Sequence, residues 1–121
     1  MRTFVCYVGL FVAFVGTIPS RGQDPNWKAP GADEAEIVKK VEAEMNVVYT
    51  RLMRKVDAQG QESLRVAQNS WTMWRNDEAV LIARVGGAIG GSALRVDVLI
   101  AQADLTRRRT EVLKKYLKDV Q

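Results

Sequence analysis

The sequence contains no histidine and only one cysteine, Cys6, and these absences exclude several kinds of chemistry. Histidine is the commonest general base and the commonest metal ligand in proteins. Cys6 lies in an N-terminal apolar stretch, so a chain cleaved after that stretch could form no internal disulfide and would carry no thiolate nucleophile. The sequence also offers no pair of carboxylates in an identifiable pocket. We therefore predict a non-enzymatic protein with no catalytic residues, no metal site and no cofactor.

Proline is scarce as well, and none follows Pro30. Beyond Ala32 the glycines occur only at Gly60 and within residues 86–91, which divides the rest of the chain into three long segments. In each segment apolar residues recur in steps of three and four, a helical spacing, and no segment alternates as a strand would. A chain of 121 residues suits one domain. We predict an all-α fold of three long antiparallel helices, either a three-helix bundle or a hairpin with the third helix laid on it.

The N-terminal segment has the three parts of a secretory signal peptide. Arg2 and the terminal amine precede an almost uninterrupted apolar run over residues 4–18, and residues 19–22 then supply a proline and small residues suited to cleavage. The run is shorter than the roughly 20 apolar residues that a membrane span requires. We predict a signal peptide over residues 1–22 and export of the protein; an uncleaved N-terminal anchor is the alternative.

The next segment, residues 23–32, has no periodicity and contains Pro25, Pro30 and Gly31. Such a composition predicts a flexible tether rather than a helix. We expect the folded domain to occupy residues 33–120.

The formal net charge of +4 overstates any affinity for nucleic acid. Cleavage of the leader would remove Arg2 and Arg21 and leave 16 basic against 14 acidic residues. The three arginines at residues 107–109 would spread over a wide arc of a helix, which is more typical of a solvated face than of a phosphate-binding patch. Nucleic acid is therefore not predicted as a partner, and a membrane is predicted only through an uncleaved N-terminal segment.

Capping signals predict where the helices begin and end. Asp33 with Glu36 three residues later forms a capping-box pattern for the first helix, and Gly60 is a natural C-terminal stop for it. The second helix is predicted over residues 61–85, ending where glycines follow. Ser92 is predicted to be the N-cap of the third helix.

Each predicted helix carries one apolar stripe for the core. The stripes comprise Ile37, Val41, Met45, Val48, Leu52 and Val56; then Leu64, Ala67, Trp71, Trp74, Leu81 and Val85; then Leu94, Val98, Ala101, Leu105, Val112 and Tyr116. Arg75 and Glu78 fall within the second stripe rather than opposite it, and Arg109 falls within the third. A buried guanidinium without a partner costs several kcal/mol, so each arginine should have one. Glu78, three residues after Arg75, is the nearest candidate, and Glu44 is another.

Two interpretations of these arginines remain open from the sequence. In the first, they belong to a satisfied polar cluster in which Trp71 and Trp74 cover the arginine side chains, partly through cation–π contact. In the second, Arg75 and Arg109 line a pocket for an anion, such as a carboxylate, of a ligand or a protein partner.

The glycine-rich stretch GGAIGGS, residues 86–92, also has two interpretations. It is a permissive connection between two helices, or it is a flexible exposed loop. In the second case, backbone donors at Gly90, Gly91 and Ser92 would bind an anion or enter the cleft of a partner. A GxGxxG fingerprint is absent, and no strand precedes the loop, so the stretch does not indicate a dinucleotide site.

Four short motifs occur along the chain in a fixed order. They consist of Met45, Asn46, Tyr49, Leu52 and Met53; Gln68, Trp71, Arg75 and Asp77; Gly90, Gly91 and Ser92; and Leu105, Thr106, Arg109 and Leu113. In order and spacing they resemble the N-terminal domain family of LprI-type lysozyme inhibitors. The resemblance implies an exported bacterial protein, periplasmic or secreted. With the polar positions above, it predicts a core cluster of Tyr49, Trp71, Trp74, Arg75, Glu78, Leu105, Thr106 and Arg109.

The chain departs from the family pattern at its cysteines. The family usually has a cysteine at the position of Ala79, another near Ala101 and a further one near Asp33, and all three are absent here. The first two look like the ends of a disulfide that links the second and third helices in the family. Removal of such a bridge typically costs about 2 to 5 kcal/mol, so the resemblance implies a domain that relies more on packing.

The resemblance also implies a protein partner, lysozyme or another cell-wall hydrolase, and its inhibition. An inhibitor of this shape would block the substrate cleft with the loop at residues 86–92 or with a helix face. Lysozyme is typically basic, so the acidic group at residues 33–36 could contribute to recognition. The candidate contact residues are Gly90, Gly91, Ser92, Arg75 and Arg109. The alternative function is that of a structural or accessory envelope protein held at the membrane by an uncleaved N-terminal segment.

Overall fold

The computed structural model describes residues 25–120, which form three helices: α1 (Ala32–Lys55), α2 (Ala58–Val85) and α3 (Gly91–Asp119). No strand occurs between residues 25 and 120. The prediction of an all-α fold with three long helices is therefore confirmed. The predicted signal peptide, residues 1–22, lies outside the described residues, as does the start of the predicted tether. None of the three helices has the length and apolarity that crossing a membrane requires.

The helices run up, down and up, and α3 packs along both of the others. Val41 of α1 packs against Ala103, whereas Leu52, near the end of α1, packs against Leu113, so α1 and α3 are parallel. α2 runs antiparallel to both. Direct contact between α1 and α2 is sparse, although only two residues separate them in sequence. The backbones of α1 and α2 are therefore far apart for most of their length, and side chains span the space between them, which we call the groove and which has α3 as its floor.

The core consists of three clusters that differ in side-chain size. The largest lies near the link between α1 and α2 and contains Met45, Val48, Leu52, Leu64 and Leu113. A second joins the first half of α1 to α3 through Val38, Val41 and Ala103. The third joins α2 to α3 through Ala79, Ala101 and Leu105. Two of its three members are alanines, which lets the backbones of α2 and α3 approach closely.

The start of α1 differs from the predicted capping box. Gly31 occupies the N-cap with a left-handed φ of 84°, and no side chain caps the helix. The Asp33 carboxylate instead accepts a hydrogen bond from Lys28 Nζ at 2.6 Å. A Cβ on Gly31 would lie 3.2 Å from Leu99 Cδ1, so glycine supplies both the positive φ and the room for α3. The role predicted for Asp33 and Glu36 was therefore wrong.

The turn between α1 and α2 lies earlier than Gly60, which was wrongly predicted to end the first helix. α1 ends at Lys55, and Asp57 is the N-cap of α2, with its Oδ1 accepting a hydrogen bond from Gly60 N at 2.7 Å. Gly60 thus belongs to the first turn of α2, because the aspartate cap satisfies a donor that the helix start leaves free. A Cβ on Gly60 would lie 2.8 Å from Val56 Cβ, which explains the glycine there.

The start of α3 also corrects a prediction. Gly90 is the N-cap and makes no side-chain hydrogen bond, and the helix begins at Gly91, so Ser92 lies in the first turn rather than at the cap. Gly91 has a φ of 66°, a conformation that glycine adopts at little cost.

The buried face of α2 is not the predicted stripe of large apolar residues. It comprises Leu64, Gln68, Arg75, Ala79 and Ala83. Trp74 is 49% exposed and Val85 80% exposed, and Leu81 is also exposed, so the prediction of Trp74 as a core anchor was wrong. In the last third of α2 the buried residues are Ala79 and Ala83, because α3 approaches too closely there for large side chains. The bulky residues lie on the adjoining face of α2.

Candidate functional site

Arg75 is the most buried charged residue of the described chain, with 8% of its side chain exposed. Its Nη1 donates to Glu42 Oε1 at 2.6 Å and to Thr106 Oγ1 at 3.2 Å. Its Nε and Nη2 donate to Asn76 Oδ1 at 3.3 and 3.1 Å. Arg75 therefore crosses the groove from α2 to α1 and also contacts α3, which links all three helices through one guanidinium.

The acid that neutralises Arg75 is Glu42, and neither of the predicted partners fills this role. Glu78 and Glu44 form no ion pair within residues 25–120, whereas Glu42 on α1 is bonded to Arg75 across 33 positions of sequence. Nη1 of Arg75 is directed toward α1 and α3, so an acid on α1 is its ion-pair partner. The Glu42 side chain is 37% exposed, so the pair lies at the boundary between core and solvent.

The residues that accept hydrogen bonds from Arg75 make further hydrogen bonds of their own. Thr106 is fully buried, and its hydroxyl donates to the carbonyl of Gln102 at 2.7 Å while accepting from Arg75. Gln102 Nε2 in turn donates to Asn76 Oδ1 at 3.2 Å. Every buried side-chain nitrogen and oxygen among the described residues has a hydrogen-bond partner. The arrangement around Arg75 is therefore a satisfied structural network, which favours the first interpretation for this residue.

Trp71 lies between the two arginines. The Cζ atoms of Arg75 and Arg109 are 5.4 and 5.7 Å from the centroid of its ring. Both distances are within the range of a cation–π contact. Trp71 also packs, together with Tyr49, against the largest core cluster. The predicted covering of arginines by tryptophan thus involves Trp71 alone, since Trp74 is on the exposed face.

Arg109 has a different environment. Its Nε donates to Gln68 Oε1 at 3.1 Å, and Gln68 Nε2 donates to Met45 Sδ at 3.4 Å. No carboxylate among residues 25–120 forms an ion pair with Arg109. Partial burial lowers the pKa of Arg109 below its usual value, and only Tyr116 opposes that shift. Arg109 is thus a partly desolvated cation held by a neutral amide.

Arg109 also lines a cavity of about 390 Å³ at the end of the groove near the link between α1 and α2. Its walls are largely apolar and include Leu52, Val56, Leu64, Ala67 and Val120, while Tyr116, Ser63 and Asp119 add polar groups. Arg109 therefore borders a largely apolar space at this end of the groove.

The predicted core cluster is brought together only in part. Trp71, Arg75, Thr106 and Arg109 form one polar group across the groove, and Leu105 lies beside it with Ala79 and Ala101. Sequence reasoning missed Glu42 and Asn76 as partners of Arg75. Glu42 directly follows Val41 of the apolar stripe of α1, a position that could have indicated a side chain reaching the groove.

The loop predicted as a contact site lies far from both arginines. Gly90, Gly91 and Ser92 are exposed at the far end of the bundle, beyond Val85, which lies ten residues along α2 from Arg75, or about 15 Å at the helical rise. The five predicted contact residues therefore do not form one site. The loop forms a separate apolar end of the molecule, described below.

Ala79 and Ala101 occupy neighbouring buried positions of α2 and α3. Ala79 is 0% exposed and Ala101 5%, and both belong to one cluster with Leu105. These are the positions for which the family resemblance implied a disulfide between the second and third helices. Within residues 25–120, no group of three or more histidine, cysteine, aspartate or glutamate side chains could hold a metal ion.

Comparison with known proteins supports the family resemblance. The model of the family described as lysozyme inhibitor LprI matches residues 33–113, which cover most of the chain and all but the end of α3. No curated protein and no solved structure matches the chain. The matched range contains the groove, both arginines, Trp71 and the glycine-rich loop. The chain belongs to the LprI lysozyme inhibitor family.

Proposed function

We propose that the protein is an exported, non-enzymatic binding protein that inhibits lysozyme or a related cell-wall hydrolase. The family match over residues 33–113 carries this proposal. Inhibition of an enzyme by a helical domain requires a surface that can enter or cover the substrate cleft. The described structure offers one at the end where α2 meets α3.

This surface, which we name the apolar tip, consists of Leu81, Val85 and Ile89. Ile89 is 90% exposed and Val85 80% exposed, and Leu81 is exposed one turn before Val85 in α2. Contiguous exposed apolar side chains on a soluble domain are typical of protein-interaction sites. Scattered single apolar residues would carry no such meaning.

The loop that presents Ile89 is tied to α2 by several hydrogen bonds. Gly86 N and Ala88 N donate to the carbonyls of Ile82 and Ala83 at 2.9 and 3.0 Å, and Arg84 Nη1 donates to the carbonyl of Ile89. Ala88 is buried beneath the loop. These bonds tie the loop to the end of α2, which supports a preorganised loop more than a freely flexible one. A preorganised loop loses less conformational entropy when it binds.

Charge gives little long-range attraction to a basic enzyme. The full chain has a net charge of +4, and lysozyme is typically basic. The acidic side chain of Asp33 is already paired with Lys28. Recognition of lysozyme would therefore depend on shape and apolar contact at the tip, with a weak dependence of the association rate on salt.

The test is a lysozyme activity assay with the purified protein and two matched variants. Val85→Asp places a charge in the apolar tip, and Val47→Asp makes the same change at an exposed position of α1. We expect the unchanged protein and Val47→Asp to slow lysozyme equally, and Val85→Asp to weaken inhibition about tenfold or more. An unchanged lysozyme rate at molar excess of the unchanged protein would rule out lysozyme as the target. Equal inhibition by both variants would rule out the tip.

Export is tested separately, on the protein produced from its full sequence. We expect mass spectrometry of the mature chain to show cleavage close to residue 22. An intact N terminus would instead favour the membrane-anchored accessory protein.

A further inference from the structure

We propose that the cavity beside Arg109 binds a small amphiphile with one anionic group and an apolar body, such as an alkyl carboxylate. This inference is independent of lysozyme binding, because the cavity and the apolar tip lie at opposite ends of the bundle. It rests on three features of the described residues: an apolar cavity, an arginine without an acidic partner, and the position of a single carboxylate.

The cavity has the size and lining of a small-molecule site. Its volume of about 390 Å³ lies within the range of roughly 300 to 1,000 Å³ for ligand pockets. Leu52 and Val56 of α1 line it together with Leu64 and Ala67 of α2, and Val120 adds an apolar side chain just beyond the end of α3. An apolar wall of this kind favours a hydrocarbon chain over water.

Arg109 supplies the polar end of the site. Gln68 holds its Nε, and the ring of Trp71 lies beside the guanidinium, so its position is fixed. No other hydrogen bond to Arg109 occurs within residues 25–120, and no buried side-chain nitrogen there lacks a partner. Its Nη groups therefore remain open to solvent or to a ligand at the cavity. A carboxylate could receive two parallel hydrogen bonds from such a guanidinium.

The contrast with Arg75 shows what is missing at Arg109. Both arginines lie over Trp71, but Arg75 has Glu42 at 2.6 Å and Arg109 has no acid. A partly desolvated cation beside apolar walls is stabilised when an anion joins it. In this protein the anion would come from the ligand.

Asp119 is the carboxylate of the cavity lining and disfavours a second anionic group beside it. It is exposed and lines the cavity ten residues beyond Arg109, or about 15 Å along α3. Its carboxylate would repel a second negative charge at that end. An anion at Arg109 with an uncharged tail directed toward Val120 satisfies both residues, whereas a dicarboxylate of similar length does not.

The probes are decanoate, decanol and decanedioate, and calorimetry of the full-length protein measures their binding. We expect decanoate to bind about tenfold or more tightly than decanol, which lacks the charge, and than decanedioate, which adds a second one. Absence of decanoate binding, or equal affinity for decanoate and decanol, would overturn the proposal.

Variants at neighbouring arginines locate the site. Arg109→Gln should weaken decanoate binding about tenfold or more, and Arg109→Lys should retain part of the binding. Arg108→Gln should have no effect on decanoate binding, because Arg108 is exposed and outside the cavity.

Thermal unfolding checks that each variant is folded. The Arg109→Lys variant keeps the test decisive if Arg109→Gln fails to fold, since it retains the charge. Equal decanoate affinity in Arg109→Gln and Arg108→Gln would contradict the assignment. Val85→Asp, which changes the apolar tip and lies outside the cavity lining, should leave decanoate affinity unchanged, so this proposal and the apolar tip fail or succeed separately.

Discussion

Arg75 and Arg109 lie over the same indole ring, and their surroundings differ chiefly in the presence of an acid. Arg75 donates to Glu42, Thr106 and Asn76, which belong to all three helices. Among residues 25–120, Arg109 donates only to the amide of Gln68, and it borders an open cavity. The first arginine is a structural link across the groove. The second leaves part of its hydrogen-bonding capacity for a ligand.

The difference follows from the shape of the groove. α1 and α2 have little direct contact, so a long side chain must span the distance between them. Arg75 does so at the middle of α2, where Glu42 projects from α1. Nearer the link between the helices, apolar side chains line the space instead, and Arg109 meets no carboxylate among residues 25–120. Arg75 thus stabilises the fold at the middle of the groove, whereas we propose that Arg109 binds a ligand at its end.

The largest effect is expected from Arg75→Ala. The substitution removes the guanidinium from Glu42, Thr106 and Asn76 and leaves a space in the core, so it should lower the free energy of unfolding by about 3 kcal/mol. Arg109→Ala should cost about 1 kcal/mol, because it breaks one hydrogen bond to a neutral amide and one cation–π contact. Denaturation with urea measures both values. Equal losses in the two variants would remove the distinction between the arginines.

A disulfide between Ala79→Cys and Ala101→Cys should give the next largest change, with the opposite sign. These two positions pack in one buried cluster about one turn from Arg75 and Thr106. The oxidised double variant should gain about 2 to 3 kcal/mol, and reduction should abolish the gain. Decanoate affinity should stay the same, because the cross-link lies away from the cavity. Free thiols that remain after oxidation would show that the two side chains do not face each other.

The sequence alone predicted the helices well, but it did not predict which face of α2 is buried. Periodicity in steps of three and four requires helices, and the glycines mark where they are separated. The choice between two apolar faces of α2 depends on α3, where Ala101 allows close approach. Trp74, Leu81 and Val85 form the more hydrophobic stripe, yet they are exposed. The spacing within one helix contains no information about its neighbour.

The residues of the candidate site were also predicted only in part from the sequence. Arg75, Arg109, Trp71 and Thr106 were identified from the sequence, and they lie together. The acid that pairs with Arg75 was not, because Glu78 is nearer in sequence and the true partner is 33 positions away. Helix starts were mispredicted where a local backbone arrangement decided them. Gly60, for example, was predicted to end the first helix, but Asp57 caps the start of α2 and Gly60 lies in the first turn of α2.

A smaller loss is expected from Thr106→Val, which keeps the shape of the side chain and removes its hydroxyl. Thr106 is fully buried and accepts from Arg75 while donating to the carbonyl of Gln102. The loss should be about 1 kcal/mol. Thr72→Val is the matched control, since its hydroxyl also donates to a carbonyl one turn earlier but is only partly buried and does not contact Arg75. If thermal unfolding shows the same loss of stability for the two variants, the hydroxyl of Thr106 does not help to keep Arg75 in place.

The smallest effect is expected from Glu111→Gln, which breaks an ion pair between Glu111 and Lys114 on the exposed side of α3. The two side chains are 70% and 51% exposed, so the change should cost less than about 0.5 kcal/mol and should disappear in high salt.

Glu42→Gln makes the same chemical change at the partner of Arg75, where the guanidinium is 8% exposed and is less well screened. Its cost should exceed that of Glu111→Gln by at least about 1 kcal/mol, and most of it should persist in high salt. If urea denaturation gives equal costs for the two glutamates, Thr106 and Asn76 are sufficient to hold Arg75. An acid would then not be what separates Arg75 from Arg109, and the case for an anion at Arg109 would lose its strongest support.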